Sequence, residues 1–228
     1  MTAEQIKMIV IAAQAAATSS FFQVYSIIGV EDKKKRAKLA ELTGNQSHVE
    51  HCGHFFVFCA DLYRHLLAGE MEGTDVGAAL EETEKFMVGL IDTTLAAQNA
   101  VLAAESMGLG ICYIGGIRNN LPEVCELLKI PDRVLPLFGL AVGYPDQEPG
   151  QKPRLPFEHI YHTDEYEQDK NKLKKQLEAY NQSITEYYEE RTGGARTERW
   201  TEQIAGKIVR SRRQYIRQFL LAKRFLLK

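Results

Sequence analysis

The glycine pair Gly115-Gly116 is the feature of this sequence best suited to hold a small molecule. It follows segment 111–114, which is short, apolar and rich in β-branched or aromatic residues, and which therefore predicts a buried strand. Two glycines at a strand end leave the backbone bare, so that a flat or bulky group can lie directly against it. A plain strand end without a ligand is the alternative. The pattern favours a ligand site, whose position depends on the elements that precede it.

Segment 84–120 predicts the element that positions the glycine pair. Its first part is apolar almost all round and rich in alanine, which predicts a long helix. A helix that is apolar on every side must be buried on every side, in a core or in a subunit interface. Gly108 and Gly110 follow the periodic part and end the helix. We therefore predict a central helix that leads into a strand whose glycine end binds a ligand.

The rest of the chain predicts helices and strands around this centre. Strands are expected at 21–30, 55–60 and 134–143. Helices are expected at 33–42, at 121–128 and at the start of the chain, where Thr2 is the cap, 2–5 the first turn and 6–17 the body, and a helical turn is expected at 62–68. After Asp164 the composition changes to two charged amphipathic helices, which we expect at 166–191 and 200–225. They predict an extension that wraps over a partner or a second subunit. We therefore divide the chain into a core, 1–163, and a helical C-terminal extension, 164–228.

Composition and charge argue against several classes of protein. The 228 residues are 45% hydrophobic, which is enough to bury one full core. A net charge of −2 gives no general attraction to nucleic acid or to a membrane surface. We find no uninterrupted apolar run of about 18 residues and no signal-peptide cleavage pattern. The four scattered cysteines fit reduced thiols better than a disulfide framework. These features predict a cytoplasmic protein without nucleic-acid or membrane partners.

Three histidines at spacings of three raise the possibility of a metal site. His48 and His51 would be neighbours on a helix, but a second step of three turns His54 off that face. Cys52 points elsewhere, and no carboxylate stands at a suitable spacing to complete a ligand set. We favour a polar helix before a strand and predict no metal.

Two basic clusters allow similar alternatives. The run Lys33–Arg36 could bind phosphate, although a solvated first turn of a helix is the simpler interpretation. The arginines of segment 210–213 could form a nucleic-acid patch, but they lack interleaved aromatic residues and the chain is slightly acidic. We favour the solvated interpretation for both.

Four motifs in order along the chain resemble one known family. They are Ala-Thr-Ser-Ser-Phe-Phe-Gln (17–23), Leu-Thr-Gly-Asn-Gln (42–46), Tyr-Ile-Gly-Gly-Ile-Arg-Asn-Asn (113–120) and Lys-Pro-Arg-Leu-Pro (152–156). Together they resemble the oxygen-insensitive NADPH nitroreductases and flavin reductases, the major branch of the nitroreductase superfamily. The likeness covers essentially the whole chain, including Trp200 and the helical tail.

This resemblance implies an α+β fold with a mixed central sheet flanked by helices. It also implies a homodimer in which two FMN molecules lie at the subunit interface and the long central helices pack across the dyad. The implied chemistry is ping-pong. NADPH reduces FMN, and the flavin then passes electrons in pairs to nitro compounds, quinones or free flavin.

The resemblance also assigns the residues that would bind FMN. The backbone of Gly115 and Gly116 would approach the isoalloxazine ring, and cations of the Lys-Pro-Arg loop would face its N1–C2 carbonyl edge or a phosphate. A surface loop is the alternative for those cations. The complete set implied by the family is Thr18, Gln46, Tyr113, Ile114, Gly115, Gly116, Lys152, Pro153 and Arg154.

Three arginines match those that lie near the 2′-phosphate of NADPH in this branch: Arg191, Arg196 and Arg213. The planar guanidinium suits a phosphate because it can donate two parallel hydrogen bonds. A solvated basic helix is the alternative. No side chain need act as an acid or a base, since hydride chemistry belongs to the cofactor.

One departure from the family concerns the start of the chain. The family opens with a His-Arg-Ser-x-Arg segment that binds the FMN phosphate, and no His-Arg-Ser occurs in these 228 residues. Each charge-assisted hydrogen bond lost would cost about 1.5–3 kcal/mol of binding free energy. The sequence therefore leaves an alternative open: a truncated or degenerate member that folds as a dimer and binds flavin weakly with little turnover.

Overall fold

The computed structural model describes residues 1–147, 150–210 and 212–225. The chain forms two compact units. Unit 1 comprises Met1–Asp146 and Arg213–Lys228, and unit 2 comprises Gln147–Arg212. These units are compact parts of the structure. The predicted division at 163/164 separates a ligand-binding core from a helical extension, and it stays a prediction.

The elements follow one another as the α+β class requires. The helices are α1 (Ala3–Gln14), α2 (Lys33–Leu42), α3 (Ser47–His51), α4 (Tyr63–Met71), α5 (Thr83–Ser106), α6 (Leu121–Leu128), α7 (Phe157–Ile160), α8 (Lys170–Thr192), α9 (Trp200–Val209) and α10 (Ile216–Ala222). The strands are β1 (Tyr25–Val30), β2 (His54–Asp61), β3 (Gly110–Ile114) and β4 (Val134–Gly143). Short 3-10 turns span Ser19–Phe21, Ala79–Glu81 and Gly115–Asn119.

The four strands form one sheet in the order β1-β2-β4-β3. Every pair is antiparallel, so the predicted mixed sheet is wrong for the part of the chain that is described. The central strand β2 is buried along its whole length. The predicted buried strand before the glycine pair is instead an edge strand, β3, and Tyr113 there is 41% exposed. Sequence periodicity cannot show this, because edge position follows from strand order.

Helix α5 lies against one face of the sheet. Its alanines Ala96, Ala97, Ala100 and Ala104 are fully buried beside Phe56 and Phe58 of β2, together with residues of α1. Within one chain α5 is buried on one side, and a stripe of large apolar side chains faces outward. These side chains are Met87, Ile91, Leu95 and Leu102. The predicted burial of this second side in a subunit interface stays a prediction.

Helix α5 is also long and apolar enough, by length and composition alone, to cross a membrane. Its packing against the sheet gives another reason for that composition. Asp92 and Thr93, both fully buried, lie on its inner side, where Thr93 Oγ1 donates to the Cys59 carbonyl oxygen at 3.3 Å. A core helix of a globular domain has these properties.

The segment before β1 is irregular, so the predicted strand 21–30 begins only at Tyr25. Ser20, Phe21 and Gln23 have φ angles of 47°, 62° and 56°, which a strand cannot contain. The buried Asp92 carboxylate closes this loop by accepting from the backbone N–H of Ser19 at 2.9 Å and of Val24 at 3.0 Å. The loop leaves Phe21 82% exposed.

The predicted tail helix 200–225 is two helices, α9 and α10. Arg213 lies between them with a φ of 61°, a left-handed conformation that ends a right-handed helix. Ser211 lies outside the described residues. The four cysteines are free, as predicted.

A buried ion cluster ties the last described residues to the rest of unit 1. Glu81, 7% exposed, accepts at Oε1 from Arg133 Nη2 at 2.9 Å and from Arg224 Nη2 at 2.6 Å. The hydrogen bond from Arg224 is the largest cause of a lowered pKa for Glu81. Breaking a buried pair is costly because it leaves a charge without its partner.

We expect Glu81→Gln to lower the free energy of unfolding at pH 7 by about 2–3 kcal/mol. The loss should be smaller than for a fully buried ion pair, because the Arg224 side chain is 54% exposed. Because the folded pKa of Glu81 is lowered, its contribution is present above the ordinary pKa of about 4.3 and is lost as the pH falls through the folded value. Urea unfolding at pH 7 and pH 4 measures both effects. The neighbouring Glu82→Gln, which removes only an exposed pair with Lys85 at 3.6 Å, should change stability by less than about 1 kcal/mol. Equal losses for the two variants would contradict the assignment.

Candidate functional site

Gly115 and Gly116 open the 3-10 turn Gly115–Asn119 at the end of β3. The first N–H groups of a helical turn have no partner inside the turn, so they are available to a ligand. Among the described residues, and apart from its chain neighbours, a Cβ on Gly115 would meet only the Arg118 guanidinium within 4 Å, the nearest atom at 3.4 Å. The backbone is therefore open here, beside one cation.

Gly116 is a glycine for a different reason. A Cβ on Gly116 would lie 2.4 Å from the Thr43 carbonyl oxygen and 2.7 Å from Gln46 Nε2. The glycine lets β3 pack closely against the end of α2. Gln46 donates from Nε2 to the same Thr43 carbonyl oxygen at 2.7 Å. The structure thus brings together two predicted site residues that are 70 positions apart in the sequence, Gln46 and Gly116.

Arg213 joins the same region. Its Nε and Nη2 both donate to Asn119 Oδ1, at 3.0 and 2.8 Å. Nearby, the Tyr215 hydroxyl donates to the Arg118 carbonyl oxygen at 2.9 Å and accepts from the Leu121 N–H at 2.8 Å. The segment that begins at Arg213 is therefore docked on the turn that follows Gly116.

Tyr113 and Ile114 differ in their availability. Ile114 is 1% exposed, so its side chain belongs to the core and only its backbone can face a ligand. The Tyr113 ring packs edge-to-face on Phe138 with centroids 5.3 Å apart, and its hydroxyl lies 3.5 Å from Gln98 Oε1. Desolvation raises the pKa of Tyr113 above its ordinary value.

Thr18 is not brought together with Gly115 in one chain. It precedes the Asp92-closed loop beside β1, which is one edge strand of the sheet, whereas Gly115 follows β3, the other edge. Three strand spacings separate these edges, or about 14 Å. In this structure the width of the sheet therefore separates Thr18 from the glycine pair.

Unit 2 gathers the other predicted cations around two tyrosines. Tyr188 is 7% exposed, with Arg196 Cζ 3.9 Å and Lys152 Nζ 5.2 Å from its ring centroid. A hydrogen bond from Lys152, with the charges of Lys152 and Arg196, lowers the pKa of Tyr188 against the opposing effect of burial. Arg191 Nη1 donates to the hydroxyl of the adjacent Tyr187 at 2.5 Å. Lys152 and Arg196 thus share the Tyr188 ring, and Arg191 lies at the Tyr187 ring, whose centroid is 5.2 Å from that of Tyr188.

The rest of the Lys-Pro-Arg loop is held by backbone contacts. Arg154 Nη1 donates to the Lys152 carbonyl oxygen at 2.8 Å, and the Tyr180 hydroxyl donates to that of Pro153 at 3.1 Å. Arg154 and Lys152 remain exposed. The loop is therefore anchored in unit 2 while its cations stay accessible.

The three histidines lie in different surroundings. His48 and His51 are on α3, whereas His54 opens β2 and is 4% exposed. Burial lowers the pKa of His54. No group of three metal-ligating side chains occurs among the residues described.

Sequence reasoning missed the residues that join the site together. Arg118 and Asn119 stand inside the motif 113–120, but no role was assigned to them. Their signal was only their position directly after the glycine pair. Tyr188 gave no signal, because its relation to Lys152 and Arg196 exists only in the folded unit.

The site of unit 1 suits a flat ligand with polar atoms along its edge. The open backbone at Gly115 offers a surface, the Arg118 guanidinium carries positive charge beside it, and Gln46 offers an amide. Arg118 is half-buried, and desolvation together with the nearby Arg213 lowers its pKa. These groups can bind electron-rich oxygen or nitrogen atoms at the ligand edge.

Comparison with protein families gives two matches that cover nearly the whole chain. Residues 1–144 match the model described as "Nitroreductase family", and residues 152–228 match "Nitroreductase family, C-terminal domain".

Individual relatives agree with the family matches. The chain is 52% identical over 225 residues to the "FMN reductase (NADPH)" of Bacillus subtilis (strain 168), with 99% of this chain and 90% of that protein covered. It is similar to the solved NfrA1 of B. megaterium, with 56% identity, a TM-score of 0.98 and coverage of 99% and 92%. It is also similar to an NADPH:FMN oxidoreductase of Vibrio harveyi complexed with NAD+, with 38% identity, a TM-score of 0.89 and coverage of 100% and 91%.

We expect Gly116→Ala to destabilise unit 1 by about 1–3 kcal/mol, because the new methyl group would overlap the Thr43 carbonyl oxygen. Gly115→Ala is the matched control, since its Cβ meets only the end of a flexible arginine side chain, and it should cost less than about 1 kcal/mol. Thermal unfolding of both variants measures the difference. If both glycines tolerate alanine equally, Gly116 does not need the close approach to Thr43.

Proposed function

Because the chain belongs to the nitroreductase family, we propose that it is an FMN-dependent NADPH oxidoreductase. In this proposal it reduces nitro compounds, quinones or free flavin by two-electron transfer in ping-pong order. The observation that carries the proposal is the convergence of Gly116, Gln46 and Arg213 in unit 1, through the Thr43 carbonyl oxygen and the Asn119 side chain. The names of the relatives do not favour the alternative of a weakly binding member with little turnover.

The residues present fit FMN. The isoalloxazine ring is flat, and among the described residues a Cβ on Gly115 would meet only the Arg118 guanidinium, so a flat group can come close to this backbone. Gln46 and the backbone of 113–116 would hold the ring edge in unit 1. For Lys152 and Arg154 of unit 2, binding to the carbonyl edge or the phosphate is what the family resemblance implies. When bound, FMN supplies the capacity to accept and donate hydride. The chain's residues orient the ring and stabilise negative charge along its edge.

The arginines proposed for the 2′-phosphate of NADPH lie in both units. Arg191 and Arg196, which lie with Lys152 around Tyr187 and Tyr188, would bind the 2′-phosphate of NADPH in unit 2. A guanidinium that is already held by a hydrogen bond loses less freedom when it binds phosphate. Arg213, which is proposed with these two arginines for the 2′-phosphate, lies in unit 1, where it donates to Asn119 Oδ1.

A homodimer is part of the same proposal. The outward stripe of α5, with Met87, Ile91 and Leu102, is continuous and apolar, and such a stripe is stabilised by a partner that covers it. The Thr18 loop and Gly115 lie at opposite sheet edges, so two copies would complete each flavin site.

The cytoplasm is the compartment proposed for this enzyme. Four free cysteines suit a reducing environment, and one of them, Cys112, is exposed. Small-molecule acceptors are the proposed partners besides the second subunit. Neither nucleic acid nor a membrane is required by any role assigned to the residues.

We expect Arg191→Ala to lower the ratio of kcat/KM for NADPH to that for NADH by about tenfold, through loss of a charge-assisted hydrogen bond to the 2′-phosphate. Arg213→Ala should lower the same ratio by less, because Arg213 lies beside the glycine turn. Steady-state oxidation of both nucleotides with added FMN gives the ratios. Arg199→Ala serves as control, since the Arg199 side chain is exposed and its ion pair with Glu202 is long, at 3.8 Å, and therefore weak. An unchanged ratio in Arg191→Ala would remove the phosphate role, and no NADPH oxidation by the wild type would remove the proposed function.

We expect Ile91→Glu to convert the dimer to a monomer at micromolar concentration, because it places a charge in the apolar stripe of α5. Met71→Glu is the control, since Met71 is 84% exposed and lies outside that stripe. Sedimentation equilibrium distinguishes the two states. A wild-type monomer, or a dimer that tolerates Ile91→Glu, would contradict the proposed interface.

A further inference from the structure

Asn119 makes hydrogen bonds in two directions with its side-chain amide. Nδ2 donates to the Thr43 carbonyl oxygen at 3.2 Å, and Oδ1 accepts from Arg213 Nε at 3.0 Å and Nη2 at 2.8 Å. The reversed amide would set its N–H groups against the donors of Arg213 and its oxygen against a carbonyl oxygen. The chemistry of the two neighbours therefore fixes the orientation of the amide.

Through Thr43, Asn119 is linked to two of the flavin-binding residues proposed above, Gln46 and Gly116. The Thr43 carbonyl oxygen also accepts from Gln46 Nε2 at 2.7 Å, and it lies 2.4 Å from the position that a Cβ on Gly116 would take. Loss of the Asn119 donor would leave this oxygen with one side-chain partner. The turn Thr43–Gln46 would then be held less firmly beside Gly116.

The backbone of Arg213, the other partner of Asn119, has an unfavourable conformation. Its φ of 61° is unfavourable for a residue with a side chain. Arg213 also lies near the Arg118 guanidinium, whose pKa is lowered in part by its charge. The two guanidinium groups repel each other because both are positively charged. Asn119 Oδ1 accepts two hydrogen bonds from Arg213 and so holds it beside Arg118.

Asn119 itself is exposed, so packing of the core does not explain its contacts. From this geometry we propose that Asn119 is a positioning residue that couples the Gln46–Gly116 side of the flavin site to Arg213. The role rests on the proposed FMN and NADPH chemistry. Asn119 is not assigned any contact with the reacting atoms.

The adjacent Asn120 provides a matched control. Asn120 caps α6, since its Oδ1 accepts from the Glu123 N–H at 3.4 Å, and it has no role at Thr43 or Arg213 in the contacts described above. We expect Asn119→Ala and Asn120→Ala each to lower the Tm of the chain without FMN by no more than about 2–4 °C. Only Asn119→Ala should raise the Kd for FMN and the KM for NADPH, each by about 5- to 10-fold, with kcat at saturation changed less than about twofold.

Hydrogen exchange gives a readout that does not need bound FMN. In the chain without cofactor, Asn119→Ala should speed exchange in segments 43–46 and 213–216, whereas Asn120→Ala should speed it only at the start of α6.

Equal ligand affinities in Asn119→Ala and the wild type, or equal losses in both variants, would overturn the positioning role. A wild-type chain that neither binds FMN nor oxidises NADPH would instead overturn the proposed function, and the positioning role with it. The first failure appears only in the variants and the second in the wild type, so the two are distinguishable.

Discussion

The carbonyl oxygen of Thr43 is the atom on which the arrangement of the glycine site depends. Thr43 follows the last turn of α2, where helix carbonyls have no partner inside the helix, and it is 3% exposed. Gln46 and Asn119 supply the missing donors, and Gly116 packs directly against the same oxygen. A buried acceptor without partners costs about 1–3 kcal/mol, so this requirement of α2 fixes three elements relative to one another. Those elements are the end of α2, the turn after β3, and the tail segment that begins at Arg213.

The second constraint comes from the topology of the sheet. Because β1 and β3 are at opposite edges, the Thr18 loop and Gly115 adjoin different edges of the sheet. The buried Asp92 carboxylate nevertheless holds that loop in a defined shape, with Phe21 projecting outward. A loop held by buried hydrogen bonds but projecting its side chains outward suits contact with another surface. In the proposed homodimer that surface is the flavin site of the second subunit.

Much of the fold was predictable where one local signal acts alone. Helices α2 and α6 were predicted with their observed ends, and so was β4, because 134–143 is apolar throughout. The errors arise where another effect overrides the local pattern. Left-handed residues at 20–23 shorten β1, and Arg213 divides the tail helix.

The site was predictable only in part for a related reason. The motifs indicated Gln46 and Gly116 separately, and their contact depends on how α2 and β3 pack. Nothing in the order of residues shows that Asn119 bridges Thr43 and Arg213, or that Tyr188 lies between Lys152 and Arg196. Similarly, the apolar outer stripe of α5 has the composition of a buried surface, and a single chain gives it nothing to pack against.

The central claim is that the open backbone at Gly115, with its surrounding residues, binds FMN in a form that NADPH can reduce. The most direct measurement is the visible absorption spectrum of the purified 228-residue chain with added FMN, after removal of free flavin, recorded before and after NADPH without oxygen. The account predicts a protein-bound flavin band that bleaches when NADPH is added. A protein that stays colourless after incubation with FMN would contradict it.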